Sequence, residues 1–141
     1  MSSKRADMNI ESFDDLLQAA RGQGQPQQLL FVFAGAELPA DASPQQRLEV
    51  EAGEGGELVP LMCVDRNAAE LVSFDALCAE AATVGPPWAL VFTAALAGGG
   101  GRSPSAVETD TALQAMVGSI KAGRIEGLLP FSRAGLPVHL G

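Results

Sequence analysis

One stretch of this chain occurs twice, and this duplication limits the possible folds more than any other feature. The segment from Ser12 to Ala36 aligns without a gap with the segment from Ser73 to Ala97. Both copies begin with the letters S-F-D and continue through Gly-x-Pro to Leu-x-Phe. Self-similarity at a fixed spacing is the mark of a repeated structural unit. We therefore expect two halves that share one architecture.

Each copy predicts a helix followed by a buried strand. Ser12 precedes apolar residues at helical spacing and is the expected cap of the first helix. The run from Leu29 to Ala34 is short, apolar and aromatic, which suits a strand that is buried on both faces. In the second copy the corresponding strand is predicted from Trp88 to Leu96. The helix before it is expected to begin at Asn67, with Glu70 three residues further on.

Residues 44–52 fit either a strand or a helix. The alternation of apolar and acidic residues from 47 to 52 is typical of a strand, whereas Ser43-Pro44 is a common helix start. The pattern Ala-Gly…Leu-x-Pro that ends this segment recurs from Ala122 to Pro130, after residues with helical spacing. By this analogy we predict a short helix over 44–52.

Shorter signals place the other elements. Leu58–Val64 and Leu128–Phe131 are predicted strands, and Leu136–Leu140 is expected to return as a hairpin strand. Thr109 or Asp110 is the expected cap of the helix in the second half. Together with the two copies, these signals give the order helix, strand, helix, strand in each half.

The predicted fold class is α/β: a single domain of two α-β-α-β repeats that form one mixed sheet flanked by helices, plus a C-terminal β-hairpin strand. Each half is expected to contribute a parallel pair of strands through a right-handed helical crossover. Pro60 and Pro130 lack the N–H that a central strand must donate, so the second strand of each half belongs at an edge or beside a bulge. The predicted strand order is second, first, third, fourth.

Composition and charge narrow the class of protein. With 141 residues, of which 47% are hydrophobic, the chain is large enough for one domain with its own core. We expect a flexible leader over residues 1–8 and a single domain over 9–141, which comprises repeat halves 12–65 and 73–132 and a hairpin extension 133–141. The formal net charge of −8 argues against nucleic acid and anionic membranes as partners, because both attract clustered Lys and Arg.

The location is predicted from what the chain lacks. No apolar run reaches the length of a membrane span, and no hydrophobic stretch follows Lys4 and Arg5 as it would in a secretory signal. Cys63 and Cys78 lie in apolar stretches and are expected to be buried free thiols of a reducing compartment. The sequence therefore predicts a cytoplasmic protein.

The loop from Gly98 to Ser105 is the first candidate site. It leaves the end of a predicted strand and leads to a helix N-terminus, where α/β sheets often bind anionic ligands. The phosphate-binding motifs G-x-x-x-x-G-K-[S/T] and G-x-G-x-x-G are absent, and Glu108 and Asp110 bring negative charge to the helix start. A mobile surface loop is the alternative interpretation.

A second group of cationic residues follows in the C-terminal part. Arg124, Arg133 and His139 could gather near the predicted hairpin as a small anion site, or they could be separate solvated cations. The candidate ligand-binding residues of the whole chain are Gly99, Gly100, Arg102, Ser103, Arg124, Arg133 and His139.

Catalytic and metal-binding patterns are weak. His139 is the only histidine, and the serines carry no nucleophile motif. Asp65 and Arg66 end a predicted strand, where a turn role is commoner than a ribose or metal contact. The four acidic residues between 49 and 57 lack the spacing of an EF-hand loop. We therefore expect no catalytic set, no metal and no cofactor.

These observations favour a non-catalytic module that binds a protein partner or itself. The alternative is a binder of a small anionic ligand, or an enzyme, that uses the loop over 98–105. Edge strands that carry proline disfavour edge pairing, so a contact through a helix face is expected if the protein dimerises.

Three motifs carry a resemblance over most of the chain from Met8 onward. They read L-V-P-L-M-C-V-D over 58–65, S-F-D-A-L over 73–77 and M-V-G-S-I-K-A-G over 116–123. The chain resembles a family of small proteobacterial proteins of uncharacterised function, some of which carry the label "ribonucleotide reductase subunit alpha". The radical chemistry of that subunit needs a trio and a pair of cysteines, and this chain has two cysteines in all. The resemblance therefore implies a family and no site residues.

Overall fold

Helices and strands alternate along the chain, as the α/β prediction requires. A computed structural model describes residues 11–37, 41, 43–51, 57–85, 87–125 and 127–138. The predicted leader over 1–8 lies outside these residues. The elements are α1 (Phe13–Arg21), β1 (Gln27–Glu37), α2 (Pro44–Glu51), β2 (Glu57–Asn67), α3 (Phe74–Val84), β3 (Leu90–Ala97), α4 (Ala106–Lys121) and β4 (Leu129–Ser132).

The strands form one sheet in the order β2-β1-β3-β4, which confirms the predicted order. The predicted strand directions are wrong, because every neighbouring pair is antiparallel and the sheet is not mixed. Glu37 at the end of β1 pairs with Glu57 at the start of β2. The segment that carries α2 therefore leaves and re-enters the sheet at the same end, whereas a crossover to a parallel neighbour must return to the opposite end.

A helical crossover does exist, but it joins the two halves. Because β2 and β3 are both antiparallel to β1, they run parallel to each other, and α3 connects them across β1. The predicted crossovers within each half are thus replaced by one between the halves. The duplication of the two halves stays an interpretation of the sequence.

Both prolines lie where their missing N–H is tolerated. Pro60 is in β2 and Pro130 is in β4, the two edge strands of the sheet. In β2 the register shifts as well: Phe33 pairs with Met62, and the next residue of β1 pairs with Pro60, which leaves Leu61 as the extra residue of a bulge. The prolines thus predicted the edges of the sheet.

The outer edge of β4 is covered by the C-terminal turn. The Val138 amide donates to the Pro130 carbonyl at 3.0 Å, and the Ser132 amide donates to the Leu136 carbonyl at 2.8 Å. The predicted hairpin over 136–140 is therefore present as a return of the chain, with an isolated bridge between Phe131 and Pro137 instead of a full strand. Residues 139–141 lie outside the described part.

The caps of two helices differ from the prediction. The side chain of Ser73, and not that of Asn67, accepts the capping hydrogen bond of α3, from the Ala76 amide at 3.2 Å. Asn67 ends β2 and closes a turn by accepting from the Ala69 amide. At α4 the cap is Ser105 and not Thr109 or Asp110, because Ser105 and Glu108 form a reciprocal capping box.

The helix predicted over 44–52 is confirmed as α2 over Pro44–Glu51. Its first turn is closed by the Ser43 hydroxyl, which accepts from the Gln46 amide at 3.1 Å. Leu48 on this helix is 60% exposed, so α2 does not bury that side chain against the sheet.

The core lies on both faces of the sheet. On the front face, α1 and α3 pack on β1 and β3, and the two phenylalanines of the S-F-D trios, Phe13 and Phe74, have ring centroids 4.9 Å apart. On the back face, Leu113, Met116 and Ile120 of α4 pack on the sheet. The buried strand predicted over 29–34 is confirmed, since all six residues are at most 2% exposed.

Candidate functional site

The Gly-rich loop is a tight hydrogen-bonded turn. The Arg102 amide donates to the Gly99 carbonyl at 3.1 Å, and Gly100 and Gly101 have positive φ angles of 61° and 79°. Glycine adopts these angles without strain. A Cβ atom on Gly98 would overlap the Arg102 carbonyl oxygen, so the glycines serve the close approach of two backbone segments.

This turn is joined to two neighbouring loops. The Gly101 amide donates to Oε1 of Gln25 at 3.0 Å, and Nδ2 of Asn67 donates to the Ser103 hydroxyl at 3.2 Å. The three loops border an open cavity of about 400 Å³ that is lined by Arg21, by amide side chains and by Gly101. Four predicted site residues, Gly99, Gly100, Arg102 and Ser103, belong to this turn, but none of them lines the cavity.

Arg133 lies at the opposite end of the sheet. Its guanidinium carbon is 5.3 Å from the centroid of the Trp88 ring, and both residues line a shallow cavity of about 350 Å³ together with Cys78. The Gly-rich turn follows the last residue of β3, whereas Arg133 follows Ser132, which pairs with the first residue of β3. Eight residues of strand span roughly 23 Å.

The predicted cations are therefore not brought together with the turn. Arg124 is exposed after the end of α4 and lines neither the cavity beside the Gly-rich turn nor the one beside Trp88. His139 lies outside the described residues. The role of these residues in ligand binding stays a prediction, and the described ones lie in three separate places: the Gly-rich turn, the surroundings of Trp88 and the end of α4.

A groove that the sequence did not predict runs along the back of the sheet between α4 and β2. Two cavities, of about 390 Å³ and 450 Å³, form it and share Asp110 and Leu113 in their walls. One wall is the side of α4 that faces β2, from Ala106 to Lys121. The other wall includes Cys63 of β2. We call this feature the α4–β2 groove.

The two ends of the α4–β2 groove carry opposite charges. Toward one end lies the carboxylate of Asp65, which accepts from Nε2 of Gln28 at 2.7 Å. Asp110, which accepts from Nε2 of Gln114 at 3.0 Å, lines the same cavity where it meets the second one. Lys121 lies at the other end. The groove is thus acidic toward one end and basic at the other.

Cys63 lies in the middle of the groove, and the expectation that both thiols are buried is wrong. Cys63 is exposed and Cys78 is intermediate, and both are free. Cys63 pairs with Val32 of the back-face core and lines the groove beside α4. Partial desolvation, and to a smaller extent the nearby Asp110 carboxylate, raise the pKa of the Cys63 thiol.

Gly118 forms part of the α4 wall. A Cβ atom on this residue would meet nothing within 4 Å in the described part of the chain, so packing within the domain does not require glycine here. Glycine in a helix interior costs about 1 kcal/mol relative to alanine. This glycine, together with the edge position of β2 that Pro60 predicts, was the sequence signal for a surface that another chain could approach closely.

Neither a metal-binding group nor a membrane-spanning helix is present among the described residues. Within the described ranges there is no group of three or more His, Cys, Asp and Glu side chains arranged to hold a metal ion. None of the helices that can be described combines the length and the apolar character needed to span a bilayer.

No family model matches the chain, no curated protein matches its sequence, and no solved structure matches its fold.

Proposed function

We propose that this protein is a non-catalytic interaction module, cytoplasmic and acidic, that binds an extended segment of a partner protein in the α4–β2 groove. The observation that carries the proposal is the contrast between the two sheet edges. The edge at β4 is covered by the C-terminal turn, whereas the described residues place no strand beyond β2. An edge strand beside a helix is a recurrent platform for peptide binding, because the strand pairs with the peptide backbone and the groove takes alternate side chains.

The edge of β2 favours a short segment over a second copy of the sheet. At one end of the strand, Pro60 and the bulge interrupt the ladder. At the other end, the Arg66 guanidinium donates to the Asp65 carbonyl at 2.6 Å and pairs with Glu80 at 3.0 Å. The uninterrupted stretch is therefore about four residues long, which is enough for a peptide and short for a stable edge-to-edge dimer. The net charge of −8 further supports a protein partner over nucleic acid or an anionic membrane.

The test uses a phage-displayed library of random linear heptapeptides against three versions of the chain. The wild type is compared with Gly118→Trp, which fills the groove, and with Ala115→Trp, whose exposed side chain lies on the same helix outside the groove. We expect the wild type and Ala115→Trp to enrich related peptides and Gly118→Trp to lose them. Light scattering of the wild type serves as the second readout. Absence of enriched peptides, or a self-associated protein whose assembly is unchanged by Gly118→Trp, would overturn the proposal.

A second candidate function is a small-ligand site at the Gly-rich turn. It is supported by the cavity of about 400 Å³ between this turn and the loop that contains Gln25. A thermal-shift screen with nucleotides, inorganic phosphate and organic acids tests it. Stabilisation that disappears in Gln25→Ala, whose side chain lines the cavity, would favour the binder, and a flat screen would argue against it.

A further inference from the structure

We infer that the α4–β2 groove selects its partner by charge order: the bound segment carries a cationic residue near its N-terminal end and an acidic residue near its C-terminal end. This inference rests on the proposed function and specifies the chemistry of the partner. It follows from the placement of the charged side chains along the groove and from the direction of β2.

The walls of the α4–β2 groove carry charged side chains of both signs. Asp65 and Asp110 line the same cavity of the groove from its two walls, so a cationic side chain there is attracted by two carboxylates. Lys121 lines the other end and attracts a carboxylate. Placed in a partly desolvated groove, such pairs set specificity and register more than total affinity.

The distance between the charged side chains of the groove sets the spacing of the two charged residues in the partner. Asp110 and Lys121 are separated by about 16 Å along the helix axis, from the rise of 1.5 Å per residue. An extended segment covers this distance in about five residues, at roughly 3.3 Å per residue. Because side chains of an extended segment alternate between faces, the two charged residues lie four or six positions apart when both point into the groove.

The direction of β2 sets the order of the two charged residues in the partner. All neighbouring strands of the sheet are antiparallel, and a segment that continues this pattern runs antiparallel to β2. Since β2 ends near Asp65, the N-terminal end of the segment lies at the two carboxylates and its C-terminal end at Lys121. The basic residue therefore precedes the acidic residue in the partner sequence.

Two features of the α4–β2 groove favour a partner segment over another copy of this domain as the occupant. The interrupted edge of β2 limits pairing to a short stretch, and Gly118 leaves room on α4 for a chain that lies between the helix and the strand. A folded second copy presents no described strand with a free edge other than its own β2.

The experiment uses the same heptapeptide library with charge-reversed protein. We expect peptides selected by the wild type to carry Lys or Arg before Asp or Glu, four or six positions apart. Asp110→Lys should weaken binding of a selected peptide at least tenfold and should enrich peptides that lack the cation. Lys121→Glu should instead remove the preference for the acidic residue. Both side chains are exposed, so the urea unfolding midpoint of each variant is expected to stay near that of the wild type.

The outcomes separate the two levels of the proposal. Enriched peptides that are lost on Gly118→Trp but show no charge order, or that bind Asp110→Lys as well as the wild type, overturn the charge inference and leave the interaction module in place. The reverse order, acidic before basic, overturns the antiparallel direction. A library from which nothing is enriched overturns the proposed function as well.

Discussion

The backbone amide of Phe13 donates a hydrogen bond of 2.8 Å to the carbonyl oxygen of Gly135. The bond joins the first residue of α1 to the C-terminal turn and satisfies a helix N-terminal donor that has no partner within the helix. The ring of Phe13 packs in turn against Phe74 and Phe131. The C-terminal turn thus covers the edge at β4 and holds α1 on the front face, whereas the described residues place no strand beyond β2.

Gly135 should be sensitive to substitution for two reasons that a control can separate. Its φ angle is +78°, and a Cβ atom would lie 3.0 Å from the Phe74 ring. Gly127 has a φ of +89° with open space around it. We expect Gly135→Ala to lower the free energy of unfolding by about 2 kcal/mol, and Gly127→Ala by about 1 kcal/mol, measured by urea denaturation. Equal losses would show that the contact with Phe74 contributes nothing.

Thr93 should be a site where a substitution stabilises the fold. This residue is 1% exposed in β3, and its hydroxyl has no hydrogen-bond partner among the described residues. A buried unpaired hydroxyl costs about 1–3 kcal/mol, so Thr93→Val should raise the free energy of unfolding by about 1 kcal/mol. Thr93→Ser keeps the hydroxyl and loses a methyl group, and should destabilise the protein. A destabilising Thr93→Val would indicate that the hydroxyl is paired.

The capping box of α4 should give a defined pH dependence. The hydrogen bonds from Ser105, its backbone amide first, lower the pKa of Glu108. The charged form is therefore favoured in the folded state, and its contribution is complete above the ordinary glutamate pKa of about 4.3. It is lost as the pH falls through the lowered pKa of the folded state. The difference in unfolding free energy between the wild type and Glu108→Gln should shrink below about pH 4. If the difference in unfolding free energy is constant with pH, the charged form of Glu108 is not the source of the stabilisation.

The same capping box predicts the effect of removing the hydroxyl. Ser105→Ala should destabilise the protein by about 1 kcal/mol at neutral pH, as measured by urea denaturation, and Ser105→Asp should retain most of the stability. A Ser105→Ala protein as stable as the wild type would mean that another group closes the helix.

The two thiols should alkylate with different responses to neighbouring charges. Partial desolvation raises the pKa of both, and the Asp110 carboxylate adds to this effect at Cys63, whereas at Cys78 the Asp75 carboxylate adds to it and Arg133 opposes it. In variants that keep one cysteine each, the alkylation rate should therefore rise at a higher pH than the alkylation rate of a free thiol in solution. Asp110→Asn should shift the Cys63 profile to lower pH and leave Cys78 unchanged. If the pH profile of Cys63 alkylation is the same in the wild type and in Asp110→Asn, the Asp110 carboxylate does not act on this thiol.

The strand order and the buried strand were predictable because single residues specify them strongly. Pro60 and Pro130 exclude central positions, and the apolar run over 29–34 requires burial on both faces. Strand direction was not predictable in this way, since it depends on which end of the sheet a connection re-enters, and the segment with α2 has no residue that specifies this. The helical crossover that was expected within each half instead joins β2 and β3, which β1 separates.

The candidate site was less accessible from sequence than the fold. Glycines and arginines drew attention to the Gly-rich turn and to Arg133, but the turn uses its glycines for a close backbone approach, and β3 separates it from Arg133. The α4–β2 groove is formed by residues from distant parts of the chain. Its individual residues, such as Asp110 and Cys63, are unremarkable until the edge position of β2 and the packing of α4 are known.

The most direct measurement of the central claim is the alkylation of Cys63 in the presence of a peptide selected by the wild-type groove. Cys63 lies in the middle of the α4–β2 groove, and Cys78 lines a different cavity and serves as an internal reference. At saturating peptide, alkylation of Cys63 should slow at least fivefold while that of Cys78 is unchanged, and Gly118→Trp should abolish the protection. An unchanged rate at Cys63, with the peptide bound, would show that the partner segment does not occupy the groove.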